Sequence, residues 1–478
     1  MIKDLLCNSS NSLFFALDLI NQNSKGSCFV VNSSNHLVGV LTDGDIRRAL
    51  LQDIKLDQSV DNVISKEFSY AHKDDTYEVL VSKISNEIQI LPIVDDEMKV
   101  IDYFEYRQNI HYPVASPHLY GNEFKYLVDA FMSSWISSTG KYINEFENAF
   151  ASYCKVEYGI SCSNGTSAIH LALLALEIGE GDEVIIPDLT FAATINAVLH
   201  SNATPVIVDI EEDSWCIDPV AIEKNITTKT KAIIPVHLYG QVCNMTEILR
   251  LSNKYNLKVI EDCAEAHGAS FNSMPVGSMG DIGCFSFYAN KVITTGEGGM
   301  CITNDHYLKN RLEVLRDHGM SRTKKYWHDT VGYNYRMTNL QASIGLAQLE
   351  RIDSIHEGRR FCEDEYKRIL NPEKFIFQKD LENRQRITWL TSILLTEYTQ
   401  REQFEKFMRE SKIDTRPFFY PLSSMEIYKQ FSKKTNAISK EISKKGINLP
   451  TYENKQNFHK ITQELRRFFD SSDYLRIN

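Results

Sequence analysis

Hydrophobic and polar residues alternate in blocks along this chain, and the lengths of the blocks predict where strands and helices lie. Short apolar runs recur at residues 183–186, 205–208, 232–235 and 257–261. Longer amphipathic segments, such as 167–178 and 245–254, separate them. Strands that alternate with helices predict a mainly parallel sheet with helices on both faces. We therefore expect an α/β fold in this part of the chain.

The first 108 residues show a different pattern, in which one strand–turn–strand arrangement occurs twice. The apolar runs 27–31 and 36–41 flank a polar turn, and a helix is predicted to begin near Asp45. The same order returns between residues 89 and 101. A proline-marked stretch follows, and after about residue 353 the chain becomes more charged. These patterns predict a repeat unit at 1–108, a linker at 109–118, a large α/β domain at 119–353 and a small α+β lobe at 354–478.

The composition and net charge of the chain limit the classes of function that it can have. The 478 residues carry a net charge of −11 and are 43% hydrophobic, which is typical of a globular protein and disfavours a general binder of nucleic acid or anionic membranes. No basic start with a long apolar core opens the sequence, and no apolar run approaches the ~20 residues that span a bilayer. The ten cysteines form no Cys-x-x-Cys pair. A reduced cytoplasmic protein is expected, with buried cysteines and without a metal cluster or a disulfide framework.

One lysine stands out from the other charges. Lys291 lies between the apolar run that begins at Cys284 and the turn Thr-Thr-Gly-Glu-Gly-Gly at 294–299. Lysine becomes a nucleophile towards carbonyl compounds when its ammonium is desolvated. Taken alone, Lys291 is equally consistent with a lysine that extends from a strand end into solvent.

Two helix starts offer binding groups. Gly165 and Thr166 would present backbone N–H groups and a hydroxyl at a helix N-terminus, which is a site for phosphate, although the same motif also forms simple helix caps. Phe191 opens a helix beyond the end of the strand at 183–186, where ligands bind in open α/β sheets. Its ring could stack on a cofactor or could belong to the core.

Two adjacent acids end the strand that begins near residue 257. Alternation puts Glu261 and Asp262 on opposite faces, and a buried carboxylate at Asp262 would need a cationic partner, such as a protonated pyridine nitrogen. A helix-capping aspartate is the alternative. Phosphate loop, aromatic ring, carboxylate and lysine, in this order, together describe a pyridoxal phosphate site, where the cofactor acts as an electron sink.

From about residue 113 to 468 the chain resembles the sugar-nucleotide aminotransferases of the DegT/DnrJ/EryC1/StrS family. The motifs that carry the resemblance are Trp135-Ile-Ser-Ser-x-Gly140, Asn164-Gly-Thr166, Pro187-x-x-Thr-Phe-x-Ala-Thr194, Pro235-Val-His-Leu-Tyr-Gly-Gln241, Glu261-Asp262, Ser286-Phe-Tyr-x-Asn-Lys291, Gly332-Tyr-Asn-Tyr-Arg-Met-Thr-Asn339 and Asn448-Leu-Pro450. The resemblance implies a fold type I, aspartate-aminotransferase-like domain with a small C-terminal α+β lobe. It also implies pyridoxal 5′-phosphate as cofactor, with pyridoxamine phosphate as the intermediate form.

The family's residue roles come to matching positions of this chain through the resemblance. Lys291 is implied to form the Schiff base and to move protons, and Asp262 to pair with the pyridine nitrogen. The other implied cofactor contacts are Gly165, Thr166, Phe191, Glu265, Ser286 and Asn334, and the implied substrate contacts are Ser137, Tyr335, Arg416 and Tyr420. Asn334 is implied to reach the cofactor of a neighbouring subunit, so we expect a homodimer with shared sites, or a higher oligomer.

The reaction that the resemblance implies is a ping-pong transamination. L-glutamate is the expected donor, and a nucleotide-linked 4-keto-6-deoxy sugar is the expected acceptor, which would supply amino sugar for a surface polysaccharide such as the O-antigen of lipopolysaccharide. One alternative is a dehydratase of the same family, which Lys291 disfavours because those relatives replace the lysine. Another is an inert aminotransferase fold that serves a nucleotide sensor. Relatives often carry glutamine or histidine where Glu265 stands, so its contact with the ring hydroxyl of the cofactor stays open. Many relatives have histidine at the position of Ser423, in a segment expected to face the sugar nucleotide, so the sugar and its nucleotide stay open.

Residues 1–108 resemble a pair of CBS domains, a module that often binds adenine nucleotides between its halves. The resemblance is carried by Gly39-Val-Leu-Thr42-Asp-Gly-Asp45. It implies that the Thr42 hydroxyl and the Asp45 carboxylate contact the phosphate and ribose of an adenine or guanine nucleotide. The alternative is that Thr42 only caps the helix that follows. The equivalent place in the second half, Ile101-Asp-Tyr-Phe104, has no hydroxyl that corresponds to that of Thr42, so at most one nucleotide site is expected.

Overall fold

The computed structural model of the chain divides into two compact units, Met1–Ile110 and His111–Asn478. It describes residues 2–23, 25–65, 68–75, 79–80, 83, 90–105, 112–397, 399–432, 436–452, 458, 461–463 and 465. The division between the units falls within the linker that the sequence predicts, and the finer domain boundaries stay predictions.

The first unit contains two small sheets of the same topology. In each sheet the first strand is parallel to the second, and the second is antiparallel to the third. The strands are β1 (Leu6–Asn8), β2 (Ser27–Val31), β3 (Leu37–Thr42), β4 (Ala71–His72), β5 (Ile90–Val94) and β6 (Val100–Glu105). Two helices, α1 (Leu13–Asn23) and α2 (Asp43–Leu51), pack on the first sheet around one apolar core.

The two hairpins of this unit share the details of their turns. The side-chain oxygens of Asn32 and Asp95 each accept hydrogen bonds from the backbone N–H groups two and four residues later, which fixes a tight turn. Asn35 and Met98 occupy the same left-handed position, with φ of 64° and 60°. In both hairpins the strand register shifts next to the turn. The strand–turn–strand repeat read from the sequence therefore extends to the backbone conformation.

The second unit is built around a seven-stranded sheet. Its strands are β7 (Tyr158–Cys162), β8 (Glu183–Pro187), β9 (Thr204–Val208), β10 (Thr230–Ile233), β11 (Lys258–Asp262), β14 (Ile282–Ser286) and β15 (Gly299–Thr303). They lie in the order β7-β15-β14-β11-β10-β8-β9. Strand β15 is antiparallel to both of its neighbours, and the other pairs are parallel. The mainly parallel sheet was predicted, and the single reversed strand was not.

Both faces of this sheet are buried, as the continuous apolar runs predict. Along β8, Val184 and Ile186 belong to one core and Ile185 to the other. The helices of this part are α3 (Glu123–Met132), α4 (Lys141–Tyr153), α5 (Gly165–Ala175), α6 (Ala192–His200), α7 (Pro219–Asn225), α8 (Met245–Tyr255), α9 (His306–Arg316) and α10 (Asn339–Leu349). All ten cysteines of the chain are buried and free, which agrees with their predicted role as small apolar residues.

A smaller α+β part follows, with its own apolar core. An antiparallel sheet in the order β16-β18-β20-β19 consists of β16 (Phe375–Phe377), β18 (Thr391–Leu395), β19 (Arg416–Pro417) and β20 (Gly446–Leu449). Its helices are α11 (Ile352–Ile369), α12 (Thr399–Glu410) and α13 (Ala437–Lys445). A third sheet joins the two parts through β12 (Ser270–Phe271), β13 (Met274–Pro275) and β17 (Arg384–Gln385). Within the described ranges, each helix is too short or too polar to cross a bilayer.

Candidate active site

The carboxyl ends of several strands of the large sheet meet at one edge and enclose a cavity of about 690 Å³. Residues at or just beyond the ends of β7, β8, β11 and β14 line it, and these are Gly165, Thr166, Phe191, Asp262, Ser286 and Lys291. Parallel strands deliver their carboxyl ends to the same edge, which is why motifs far apart in the sequence come together. The structure thus brings the four predicted motifs into one site.

The N-terminus of α5 forms one wall of the cavity. The cap is Asn164, whose side-chain oxygen accepts the Ser167 N–H at 2.8 Å. The first-turn N–H groups of Gly165 and Thr166 have no acceptor within the helix itself and are free to bind a ligand. A Cβ at position 165 would lie 2.7 Å from Cβ of Ser286, so glycine is required where α5 approaches β14. These donors fit a phosphate dianion.

The two adjacent acids at the end of β11 serve different purposes. Glu261 accepts three backbone N–H groups from the turn at 277–280 and holds that turn. Asp262 lies on the cavity side, 4% exposed, and accepts the Thr194 hydroxyl at 2.9 Å and the Ala264 N–H at 3.2 Å. Burial raises the pKa of Asp262, while its hydrogen bonds and Lys291 oppose that rise. A buried carboxylate in this position fits a cationic ring nitrogen.

Lys291 follows β14 and projects into the same cavity. Its side chain is 13% exposed, and its Nζ lies 3.6 Å from Oε1 of Glu265 and 4.3 Å from the centroid of the Trp389 ring. Oε2 of Glu265 accepts the Tyr239 N–H at 3.0 Å. Burial raises the pKa of Glu265 to about 7, although Lys291 opposes the rise. A desolvated amine with an adjacent carboxyl is suited to carbonyl and proton-transfer chemistry.

Phe191 is not a core residue. It is 61% exposed, it precedes α6 as its N-cap residue, and its ring lines the cavity. The Phe419 ring lies 5.7 Å away from it, centroid to centroid. An exposed aromatic face on a cavity wall fits a flat ligand ring.

The other predicted positions divide between this cavity and the outer surface. Tyr335 and Arg416 line the cavity, and the Tyr335 hydroxyl lies 3.2 Å from Nδ1 of His170. Ser137 and Tyr420 are exposed and are not part of its lining. Asn334 is also exposed and outside the lining, and its side-chain oxygen accepts a hydrogen bond from Arg336.

The cavity residues that were not predicted include His170, Tyr239, Trp389 and Asn448. Tyr239 and Asn448 stand inside motifs that resemble the family, and this was a signal for them. His170 and Trp389 stand in segments without a recognisable motif. The Trp389 indole N–H donates to the Asn290 carbonyl at 2.7 Å, so the ring is attached to the residue that precedes Lys291.

The segment at 416–423 lines the cavity only in part, and its C-terminal end is hydrogen-bonded to the large sheet. The Ser423 hydroxyl and N–H donate to the Asp188 carboxylate at 2.8 and 2.7 Å, and the Leu422 N–H donates to the Asp188 carbonyl. Ser423 is therefore a half-buried anchor in this chain, and it is not part of the cavity lining.

In the first unit, Thr42 and Asp45 bind each other. The Asp45 N–H donates to the Thr42 hydroxyl oxygen at 3.1 Å, and the Thr42 N–H donates to the Asp45 carboxylate at 2.9 Å, which is a capping box at the start of α2. Arg48 forms an ion pair with the same carboxylate. The helix cap, which is the alternative to a nucleotide contact, is present, and nucleotide binding at these residues stays a prediction.

Comparison with known proteins agrees with this geometry. The DegT/DnrJ/EryC1/StrS aminotransferase family matches residues 117–464, and the CBS domain matches residues 1–52. The chain is 45% identical to the GDP-perosamine synthase of Escherichia coli O157:H7 over 345 residues, which is 72% of this chain and 94% of the relative. It is 44% identical to the GDP-perosamine synthase of Caulobacter vibrioides, over 71% of this chain and 92% of the relative.

Solved structures give the same picture. A sugar aminotransferase of Streptococcus pneumoniae in its pyridoxal phosphate form superposes with a TM-score of 0.69 at 26% identity, covering 75% of this chain and 98% of that one. An aminotransferase of pseudoaminic acid biosynthesis from Helicobacter pylori has a TM-score of 0.69 at 26% identity, covering 76% and 100%. The chain therefore belongs to the DegT/DnrJ/EryC1/StrS aminotransferase family, and it is a pyridoxal-phosphate-dependent aminotransferase of fold type I.

Proposed function

We propose that this enzyme transfers an amino group from L-glutamate to the keto group of a nucleotide-linked 4-keto-6-deoxy sugar. The observation that carries the proposal is Lys291, which projects into a cavity with an anion-binding helix start on one side and the buried Asp262 on another. The similarity to two GDP-perosamine synthases over nearly their whole length supports the choice of substrate class. The product would serve the synthesis of a surface polysaccharide such as an O-antigen.

In this proposal the chain's own residues bind and orient the reactants. The start of α5, with Gly165 and Thr166, and the hydroxyl of Ser286 hold the phosphate, and Phe191 covers one ring face. Asp262 keeps the ring nitrogen protonated. When bound, pyridoxal phosphate supplies an electron sink for the electrons that remain when a proton leaves the substrate carbon.

Lys291 has two tasks in turn. Its Nζ would first anchor the cofactor and then, when an incoming amine has released it, would accept the proton from the substrate carbon and later give it up again, so that one side chain serves as base and then as acid. The Glu265 carboxyl lies near the ammonium that results, with its Oε1 3.6 Å from Nζ. Low exposure of both side chains keeps bulk water from competing for the proton.

We further propose that the enzyme works as a homodimer with shared sites. Six large apolar residues between 124 and 136 are exposed, and these are Phe124, Val128, Phe131, Met132, Trp135 and Ile136. Large apolar side chains exposed this close together in the chain are typical of a protein interface. Asn334, exposed and outside the cavity lining of its own chain, is then available to the cofactor of a second copy.

The test is a product analysis with the full-length enzyme. We expect incubation with L-glutamate carrying isotope-labelled nitrogen, and with 4-keto-6-deoxy sugars linked to GDP, UDP or dTDP, to give one labelled amino sugar by mass spectrometry. A product that has lost a hydroxyl without gaining nitrogen would favour the dehydratase alternative. No product from any sugar, together with cofactor binding, would contradict the proposed substrate class.

A further inference from the structure

We propose that Trp389 is a positioning residue that holds the ammonium of Lys291 against its indole face whenever Lys291 is free of the cofactor. The inference rests on the proposed function, since that reaction requires Lys291 to alternate between a bound and a free state. The Nζ atom lies 4.3 Å from the ring centroid, within the range of a cation–π interaction.

Two independent sets of hydrogen bonds fix the position of the Trp389 ring relative to the backbone of Lys291. The Trp389 indole N–H donates to the Asn290 carbonyl, which joins the ring to the peptide just before Lys291. The guanidinium of Arg359 donates to the carbonyls of both Trp389 and Lys291. These bonds fix the position of the indole ring and the face that it presents to the ammonium. A tryptophan that only filled space in the core would not need them.

The surroundings leave the ring as a main partner of the free ammonium. Glu265 is near, but the distance of 3.6 Å from its Oε1 to Nζ exceeds that of a good charge-assisted hydrogen bond. Because burial raises the pKa of Glu265 to about 7, this carboxyl carries only part of its charge at neutral pH, and Asp262 is engaged by Thr194. The ring's negative face does not titrate, and its attraction is stronger in a desolvated site.

The chain contains its own comparison. Lys324 lies over the ring of Trp327 with its Nζ 4.0 Å from the centroid, so the geometry is similar. Trp327 is 53% exposed, whereas Trp389 is 4% exposed. Water weakens the exposed pair, and a change in the electron density of the rings should therefore affect Lys291 more than Lys324.

The test replaces all four tryptophans with fluorinated tryptophan, which withdraws electrons from the ring and changes its shape little. The full chain is saturated with pyridoxamine phosphate, which has no aldehyde to react with Lys291. Cyanate, which adds only to the neutral amine, is then applied near neutral pH, and mass spectrometry measures the carbamylation rate of each lysine. The Trp389→Phe variant, which keeps an aromatic face without the indole N–H, is treated in the same way.

We expect fluorination to raise the rate at Lys291 about three- to tenfold and the rate at Lys324 less than twofold. Trp389→Phe, whose ring is a weaker partner for a cation and has no N–H to fix it, should raise the Lys291 rate at least as much as fluorination does. An unchanged Lys291 rate in the fluorinated protein, or an equal change at both lysines, would overturn the inference. These rates do not depend on any sugar substrate, so they remain informative if the product analysis contradicts the proposed function.

Discussion

The Thr194 hydroxyl donates a 2.9 Å hydrogen bond to the Asp262 carboxylate. Thr194 lies in the first turn of α6, three residues after the exposed Phe191, and its hydroxyl also lies 3.1 Å from that of Thr190. One helix start therefore fixes both the aromatic ring on the cavity wall and the acid at the end of β11. A change in that helix start would displace two cofactor contacts together.

Replacement of Thr194 by valine removes this donor while keeping the side-chain shape. The Asp262 carboxylate then loses a bond that lowers its pKa, so its charge is less well stabilised, and a hydrogen bond to a charged group is worth about 1.5–3 kcal/mol. We expect turnover to fall by about tenfold or more, measured as initial rates. Thr190→Val, which leaves the Thr194–Asp262 bond intact, is the control, and an equal loss in both variants would contradict a specific role for Thr194.

Replacement of Lys291 by alanine removes the only group that we propose for proton transfer at the substrate carbon. We expect turnover to fall by at least about 100-fold, since general acid–base catalysis contributes 10²–10⁴-fold, and the characteristic absorbance of the lysine-bound cofactor to disappear. Lys324→Ala, at an exposed lysine, should change neither. An active Lys291→Ala enzyme would refute the assignment.

Replacement of Gly165 by alanine introduces a Cβ 2.7 Å from Cβ of Ser286. Because β14 is hydrogen-bonded to a neighbouring strand on each side, the start of α5 must shift away from it. The N–H groups of that helix start then no longer point at the phosphate. We expect the dissociation constant for pyridoxal phosphate to rise by about 100-fold or more in an absorbance titration. Gly44→Ala lies in α2 of the first unit, where the new Cβ meets only ordinary contacts, and it should bind the cofactor normally.

The buried Glu265 makes stability depend on pH. Its pKa is raised from 4.5 to about 7 in the folded chain, so the protonated carboxyl favours folding, and this contribution is complete below pH 4.5 and is lost as the pH rises to about 7. Relative to Glu265→Gln, the wild-type free energy of unfolding should therefore fall by about 3 kcal/mol across that interval. Urea unfolding of both cofactor-free proteins at several pH values measures it. A constant difference between the two proteins would contradict the raised pKa.

The apolar surface at 124–136 predicts an interface. Phe131 on α3 is 64% exposed, and an aspartate there would place a charge in the centre of the proposed contact. We expect Phe131→Asp to shift the enzyme from dimer to monomer in light scattering and to lower cofactor affinity, because Asn334 no longer reaches a second site. Val220→Asp, on α7, is the matched control and should remain dimeric, whereas a dimeric Phe131→Asp variant would place the interface elsewhere.

Much of the cavity was predictable because its residues follow their own strands. Asp262 comes from the alternation within β11, and the glycine and threonine at the start of α5 come from one short motif. Trp389 was not predictable, because its indole is indistinguishable in the sequence from that of a core tryptophan. Its contact with Lys291 depends on how the smaller α+β part packs over the edge of the large sheet.

The direction of β15 was likewise only partly predictable from the sequence. Residues 299–303 form an apolar run, but apolar character does not give strand direction. The segment 287–298, which joins β14 to β15, contains no helix. A parallel pair needs a long crossover, so this connection favours the antiparallel pairing that the structure has. The glycine-rich turn after Lys291 was thus a signal for topology as well as for chemistry.

The bonds between Ser423 and Asp188 have a consequence for the evolution of specificity. Because they tie the segment that begins at Arg416 to the end of β8, this wall of the cavity has its shape before any sugar arrives, and little conformational entropy is lost when one binds. A change of sugar specificity during evolution would then require only the substitution of single side chains on this wall, without a change in its backbone. A histidine at position 423 would remove the serine hydroxyl from this anchor and so change the shape of the wall.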